Sequence, residues 1–302
     1  MSTTHGTTGA IAHSSKLSKD RSIRHSSNAC DMDYKATRGN MITIPVMNLK
    51  GGTGKTTVTR LLAPVLAEYC NVLMVDMDPH AGLTDSWIVG EPNYTSYDVL
   101  CGRKPISEAV IHLNGEDGSK HTLDLLGATG DLAQADRIAD PGAAYQLRKA
   151  LREIQPESTY QIVLVDATPS IGTIFSTALM AAHAILVVTE PNALGYMPTA
   201  KFVEMLKDLQ VATGRKFPLA GVLLNRVKGT KENQEYSLRL KELLGEEAIF
   251  PYVVRDRTII QQSAKANELR KDRYIEVTFQ EIATDLLERL GQLHQNHEMG
   301  EG

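Results

Sequence analysis

The chain has 302 residues, 42% hydrophobic and 23% charged, an ordinary globular composition long enough for one large domain or two small ones. Its net charge of -4, from 32 basic and 36 acidic residues, excludes a uniformly basic nucleic-acid coat but not a local basic patch. Cys30, Cys70 and Cys101 form no C-x-x-C pair, and no apolar run approaches the roughly 18–20 residues of a membrane span. These features, with no charged-then-apolar leader at the start, point to a soluble cytoplasmic chain without a disulfide framework, structural zinc or iron–sulfur scaffold.

Residues 1–40 hold 12 Ser or Thr and show no helical or strand period, so they read as a disordered tail. Met41 opens the first strand-like run and is a candidate alternative start. Beyond it, strands are expected at Met41–Met47, Val72–Val75, Thr122–Leu126, Ile162–Val165, Ala184–Val188 and Leu219–Leu224. Helices are expected at Lys55–Tyr69, Ala143–Ile154, Ile171–Ala182, Met197–Val211 and Lys231–Leu244. The strands are β-branched and almost continuously apolar, as parallel strands buried on both faces should be. Strands alternating with helices predict a doubly wound, mostly parallel α/β sheet flanked by helices. The domain is expected over residues 41–295, with a flexible end at 296–302. Pro45 conflicts with a central strand, where a missing N–H is rarely tolerated.

The first strand runs into Asn48-Leu49-Lys50-Gly51-Gly52-Thr53-Gly54-Lys55-Thr56-Thr57, which opens a helix. Glycines let backbone N–H groups wrap around phosphate oxygens, and the helix N-terminus adds its dipole. The segment Gly51 to Thr57 is therefore the expected nucleotide cradle of a P-loop NTPase, although Leu49 stands where the strict pattern has glycine. Lys55 is expected on the β- and γ-phosphates and Thr56 on Mg²⁺. A second apolar strand ends at Asp76-Met77-Asp78-Pro79-His80, and a third at Asp166-Ala167-Thr168-Pro169. The third has the Walker B arrangement, in which Asp166 is expected to bind Mg²⁺ through water.

The run Lys-Gly-Gly-x-Gly-Lys-Thr-Thr resembles the deviant Walker A box of the ParA/MinD family of ATPases, and the two acid boxes follow in that family's order. The resemblance spans about Met41 to Leu293. It implies that Lys50 is a signature lysine reaching the nucleotide of a partner subunit in an ATP-bound homodimer. It also implies that Asp78 positions the attacking water, making Lys50, Asp78 and Lys55 the catalytic set, and that Asp76 supports Mg²⁺. Asn225, ending a later strand, would hydrogen-bond adenine. The segment Phe250–Arg257 resembles a late Pro-Arg loop around the base, placing Arg255 at the nucleotide, with Val254 where proline is expected. The family's usual glutamine is here His80, to which no role is assigned.

Members of the family differ in what they hold. The final helix, Glu281–Leu290, has Arg289 as its only basic residue, the wrong charge for a membrane-surface helix. Residues 201–273, by contrast, carry 15 basic and 10 acidic groups. Arg255, Arg257, Lys265, Arg270, Lys271 and Arg273 are the expected contacts to DNA phosphates, without sequence preference and salt-sensitive. The tail is too short and polar for a helix-turn-helix domain. The expected function is a DNA-partition ATPase, nucleoid-associated, that dimerises on ATP–Mg²⁺ and is released by slow hydrolysis stimulated by a ParB-type adaptor. A nucleoid-using ATPase positioning a protein cargo is the alternative. A P-loop metabolite phosphotransferase, a metal-cluster carrier and a non-enzymatic scaffold are more distant ones.

Overall fold

Alternation along each central strand sends side chains to two separate cores. In β1 (Ile42–Met47), Ile42, Ile44 and Val46 face one side; in β2 (Val72–Met77), Val72 and Met74 join them, while Leu73, Val75 and Met77 face the other. A strand apolar at every position therefore requires cover on both faces. The first core is closed by α1 (Lys55–Leu66) and by the last helix, through Leu62, Leu66, Phe279 and Leu286. The second is closed by helices that follow the later strands, through Leu147, Phe175 and Phe202.

The structure is a computed structural model that describes residues 41–113, 120–138, 140, 142–155, 159–262 and 272–299. After α1 and β2 come three short helices, α2 (Gly82–Asp85), α3 (Ser96–Leu100) and α4 (Ile106–Ala109), then β3 (Val110–His112) and β4 (Leu123–Leu126). There follow α5 (Gln146–Ile154), β5 (Ile162–Ala167), α6 (Thr173–Ala181), β6 (Ile185–Thr189), α7 (Ala193–Thr213), β7 (Leu219–Val227) and α8 (Lys231–Leu244). The chain ends with β8 (Ile249–Arg255), α9 (Thr258–Gln262) and α10 (Arg273–Met299). The eight strands form one sheet in the order β3-β4-β2-β5-β1-β6-β7-β8. Only the edge pair β3–β4 is antiparallel. This is the expected doubly wound α/β fold, and its strand order switches direction at β1, where such sheets open a ligand crevice beyond the carboxyl ends.

Several boundaries differ from the sequence reading for physical reasons. β8 was expected as a loop around the base; instead it pairs in parallel with β7 and carries Pro251 on the sheet edge, where a missing N–H is tolerated. Val254 is accordingly a core residue. β3 is only three residues long, too short to show a period. β2 and β5 run two residues further than expected, so Asp76 and Asp166 lie inside strands. α7 begins at Ala193, because Asn192 caps it by accepting from the Gly195 N–H at 2.8 Å; Pro198 sits within it rather than at its start. α10 continues to Met299, past the boundary expected at 295. The tail 1–40 lies outside the described residues.

Pro45 also finds its explanation. Ile42 donates toward the β5 side, to the Gln161 carbonyl (2.9 Å), so the N–H groups of residues 43, 45 and 47 face β6. The β1–β6 ladder begins only at Val46. Pro45 thus lacks its N–H in a gap where no β6 partner is waiting, and the N–H of Thr43 is satisfied by the His183 ring (Nδ1, 2.9 Å) instead.

Candidate nucleotide site

The loop between β1 and α1 is held from three sides. Buried Asn48 donates to the Val188 carbonyl (2.9 Å) and the Thr199 hydroxyl (3.0 Å), and accepts from the Lys50 N–H (3.1 Å). Asn225 Nδ2 donates to the Thr53 carbonyl at 2.7 Å. Gly54 has φ 93°, and a Cβ there would meet Asn225 Nδ2 at 2.1 Å, so the position demands glycine. Gly52, at φ 76°, is the second left-handed residue. Gly54 caps α1 without any side-chain hydrogen bond, which leaves the first N–H groups of a 12-residue helix for an anion.

Lys55 is 6% exposed and its Nζ donates to the Lys50 carbonyl at 3.3 Å. Burial pulls its pKa below the ordinary lysine range, opposed by the charges of Asp166 and Asp78. Asp76 and Asp166 are direct neighbours across β2 and β5. Asp76 is fully engaged: Oδ2 accepts from the Thr84 N–H (2.9 Å) and hydroxyl (2.7 Å), and Oδ1 from the Asp78 N–H (3.1 Å). Its pKa is pushed up to about 6, chiefly by burial. Asp76 therefore shapes the loop that carries Asp78, and Thr84, which the sequence reading missed, anchors it.

Asp166 is the exception. It is buried, and neither carboxylate oxygen has a hydrogen-bond partner among the described residues. Burial and the neighbouring Asp76 raise its pKa well above the carboxylate range, with Thr56 and Lys55 working the other way. A buried, unpartnered carboxylate beside a hydroxyl fits a hard divalent cation with oxygen ligands, so Mg²⁺ suits Asp166 and Thr56.

Two further residues stand at the mouth: Glu190, which was not singled out from the sequence, and His80, which was noted there without a role. Glu190, just after β6, meets Lys50 Nζ at 3.5 Å and Arg226 Nη1 at 3.2 Å. His80, almost fully exposed, sets Nδ1 2.9 Å from Asp78 Oδ1. A long-range acid partner for Lys50 has no local signal; the Asp-x-His spacing does.

The expected base and DNA residues are more scattered. Asn225 spends one Nδ2 hydrogen on the loop, which leaves its second N–H and Oδ1 for an adenine contact. Arg255 is exposed at the end of β8, its N–H donating to the Tyr274 hydroxyl (3.1 Å). Arg257 is spent locally, with Nη1 3.1 Å from Asp272 Oδ1 and its guanidinium over the Tyr274 ring at 4.8 Å. Arg273 is exposed at the start of α10. Lys265, Arg270 and Lys271 lie outside the described residues.

A glycine loop on a helix N-terminus, a buried lysine and paired acids on adjacent parallel strands define a P-loop nucleoside triphosphatase. Residues 41–218 match the AAA domain family. Over 221 residues the chain is 30% identical to the chromosome-partitioning ATPase Soj of Thermus thermophilus, covering 72% of this chain and 83% of Soj. Its fold is similar to the ATP complex of Cyanothece McdA, with TM-score 0.72 and 21% identity over 83% of this chain and 96% of that one. It is also similar to a plasmid partition protein of Borrelia burgdorferi B31 bound to AMPPNP, with TM-score 0.68 and 19% identity over 84% and 99% of the two chains. The chain belongs to the ParA/MinD family of ATPases. Among the described residues, no helix is long and apolar enough to cross a membrane.

Proposed function

We propose that this ATPase is a DNA-partition enzyme whose ATP-bound form is a homodimer that binds DNA without sequence preference and is released by adaptor-stimulated hydrolysis. The observation that carries the reading is the placement of Lys50. It is a second lysine in the phosphate loop, turned away from the cradle toward Glu190 at the mouth. Around that mouth, Ile171, Leu194 and Met197 are exposed apolar side chains. Ile171 follows the loop after β5, and the other two lie in the first turns of α7. Exposed apolar side chains on the segments after β5 and β6 suit a face that another subunit covers.

Within one subunit, the backbone of Gly51–Thr57 and Lys55 would hold the phosphates, while Thr56 and Asp166 would hold Mg²⁺. A cation held there would supply charge neutralisation for the phosphoryl oxygens. Asp78, braced through Asp76 and Thr84, orients the attacking water. Lys50 exchanges Glu190 for the partner's nucleotide on dimerisation. DNA phosphates are met by exposed cations, Arg255 and Arg273 among them.

Asp78→Ala is the test. It should bind ATP normally, lower turnover about 10²-fold or more, and remain on DNA as a dimer. A variant that hydrolyses at the parent rate removes the role given to Asp78. One that never engages DNA in any nucleotide state removes the partition reading.

A further inference from the structure

At the opposite end of the sheet the chain carries a second concentration of positive charge. A cavity of about 520 Å³ is lined by Tyr145, Arg148, Lys149, Arg152 and Glu153, all at or just before α5. Arg148 and Arg152 stand one helical turn apart, a like-charge i,i+4 pair that disfavours the helix. Among the described residues neither has an acidic partner; Glu153 is engaged by Lys149 instead (3.9 Å).

Arg215, from the loop before β7, adds a third guanidinium within electrostatic range. It is held in place by hydrogen bonds from Nη1 to the Met180 carbonyl and from Nη2 to the Ala182 carbonyl (both 2.6 Å), and lies over the Phe217 ring. His183 lies within electrostatic range of all three arginines. Its Nδ1 accepts the Thr43 N–H (2.9 Å), so the ring is neutral in this arrangement. Its pKa is pushed down to about 4, first by loss of hydration and then by Arg148, Arg215 and Arg152. Thr43 lies near the start of β1, whereas the phosphate loop follows its end. The two sites are thus separated by about a strand's length, on the order of 15–20 Å.

We propose that Arg148, Arg152 and Arg215 form a second phosphate-binding site, remote from the P-loop, for a phosphorylated ligand. Guanidinium forks match phosphate oxygens bidentately. A bound phosphate relieves the repulsion among three cations that have no acidic partner among the described residues. The exposed Tyr145 ring offers a face for a base or sugar attached to that phosphate. The proposal does not depend on the partition reading. The phosphate belongs either to a nucleic-acid backbone or to a small phosphorylated molecule, and the test separates the two.

His183 is a built-in reporter. The full chain, with the P-loop saturated by ADP–Mg²⁺, is titrated with inorganic phosphate and separately with a short random-sequence DNA duplex, while the His183 ring is followed by NMR. Phosphate should shift the His183 resonances and raise its pKa from about 4 toward the ordinary histidine range. Arg148→Ala/Arg152→Ala should weaken that response roughly tenfold or more with ADP affinity unchanged. Arg148→Lys/Arg152→Lys, which keeps the charges, should retain part of it. A duplex response lost in the same variants identifies the backbone as the source; a response to phosphate alone identifies a small ligand. A His183 ring unmoved by either probe, or moved equally in the alanine variant, overturns the proposal.

Discussion

At the carboxyl ends of the central strands, polar side chains are anchored one by one and a single carboxylate is left over. Among the described residues between Arg255 and Arg273 the pattern is reversed, since Arg257 is tied to Asp272 and stacked on Tyr274 while Arg255 and Arg273 are exposed. Both regions were marked by their residue types. In the first, function is carried by backbone geometry that allows only certain residues, as at Gly54. In the second the expected role rests on charge, and charge is easily consumed by a neighbouring acid. A spacing therefore foretells a site better than a count does.

The largest expected effect sharpens the first half of that contrast. Asp166→Asn should lower Mg²⁺-dependent turnover about 10²–10³-fold. It should nevertheless raise the melting temperature of the nucleotide-free protein at mildly alkaline pH, because a buried unpartnered charge is removed. The sign follows from its raised pKa. The folded state holds the proton more tightly, so stability is present at low pH and is lost as pH rises beyond the ordinary carboxylate range. The variant should lack that slope in thermal melts across pH; a less stable apoprotein contradicts the assignment.

Arg257→Ala tests the other half. Asp272 also accepts the N–H groups of Tyr274 (3.0 Å) and Ile275 (3.2 Å) at the start of α10. Losing its cation should cost on the order of 1 kcal/mol in denaturant melts while DNA affinity changes little. A large loss of DNA binding without destabilisation would make Arg257 a contact after all.

The smallest effect is expected at the far end of the sheet. The pKa of His183 falls from 6.5 to about 4 on folding, so its contribution is present above 6.5 and is lost as pH falls through that window, when the ring must surrender the Thr43 N–H. His183→Gln should flatten the acid limb of the stability curve between those values. An unchanged limb removes His183 from the acid response.

The central strands, α8 and the phosphate loop were legible because two-sided burial and tight turns restrict residue choice directly. Asp78 and Asp166 were legible through their place after apolar runs. Asp76 was legible as an acid, but its hydrogen bonds to Thr84 depend on how α2 folds back and left no local mark. Glu190 lies 140 residues from Lys50, and only the order of β1 and β6 in the sheet brings them together. β8 was read as a loop through a resemblance alone, and Pro251 is compatible with a strand there because that strand lies on the sheet edge. The arginine cavity was hidden in an ordinary amphipathic helix, since nothing local to α5 announces Arg215 or His183.

The account turns on Lys50 leaving Glu190 to complete a site in another subunit. Sedimentation velocity with a non-hydrolysable ATP analogue and Mg²⁺ measures this directly, comparing the parent chain with Lys50→Ala. The parent should move from monomer to dimer on adding the analogue. Lys50→Ala should bind the analogue with similar affinity and remain a monomer. A variant that dimerises like the parent, or a parent that stays monomeric with nucleotide bound, would contradict the account.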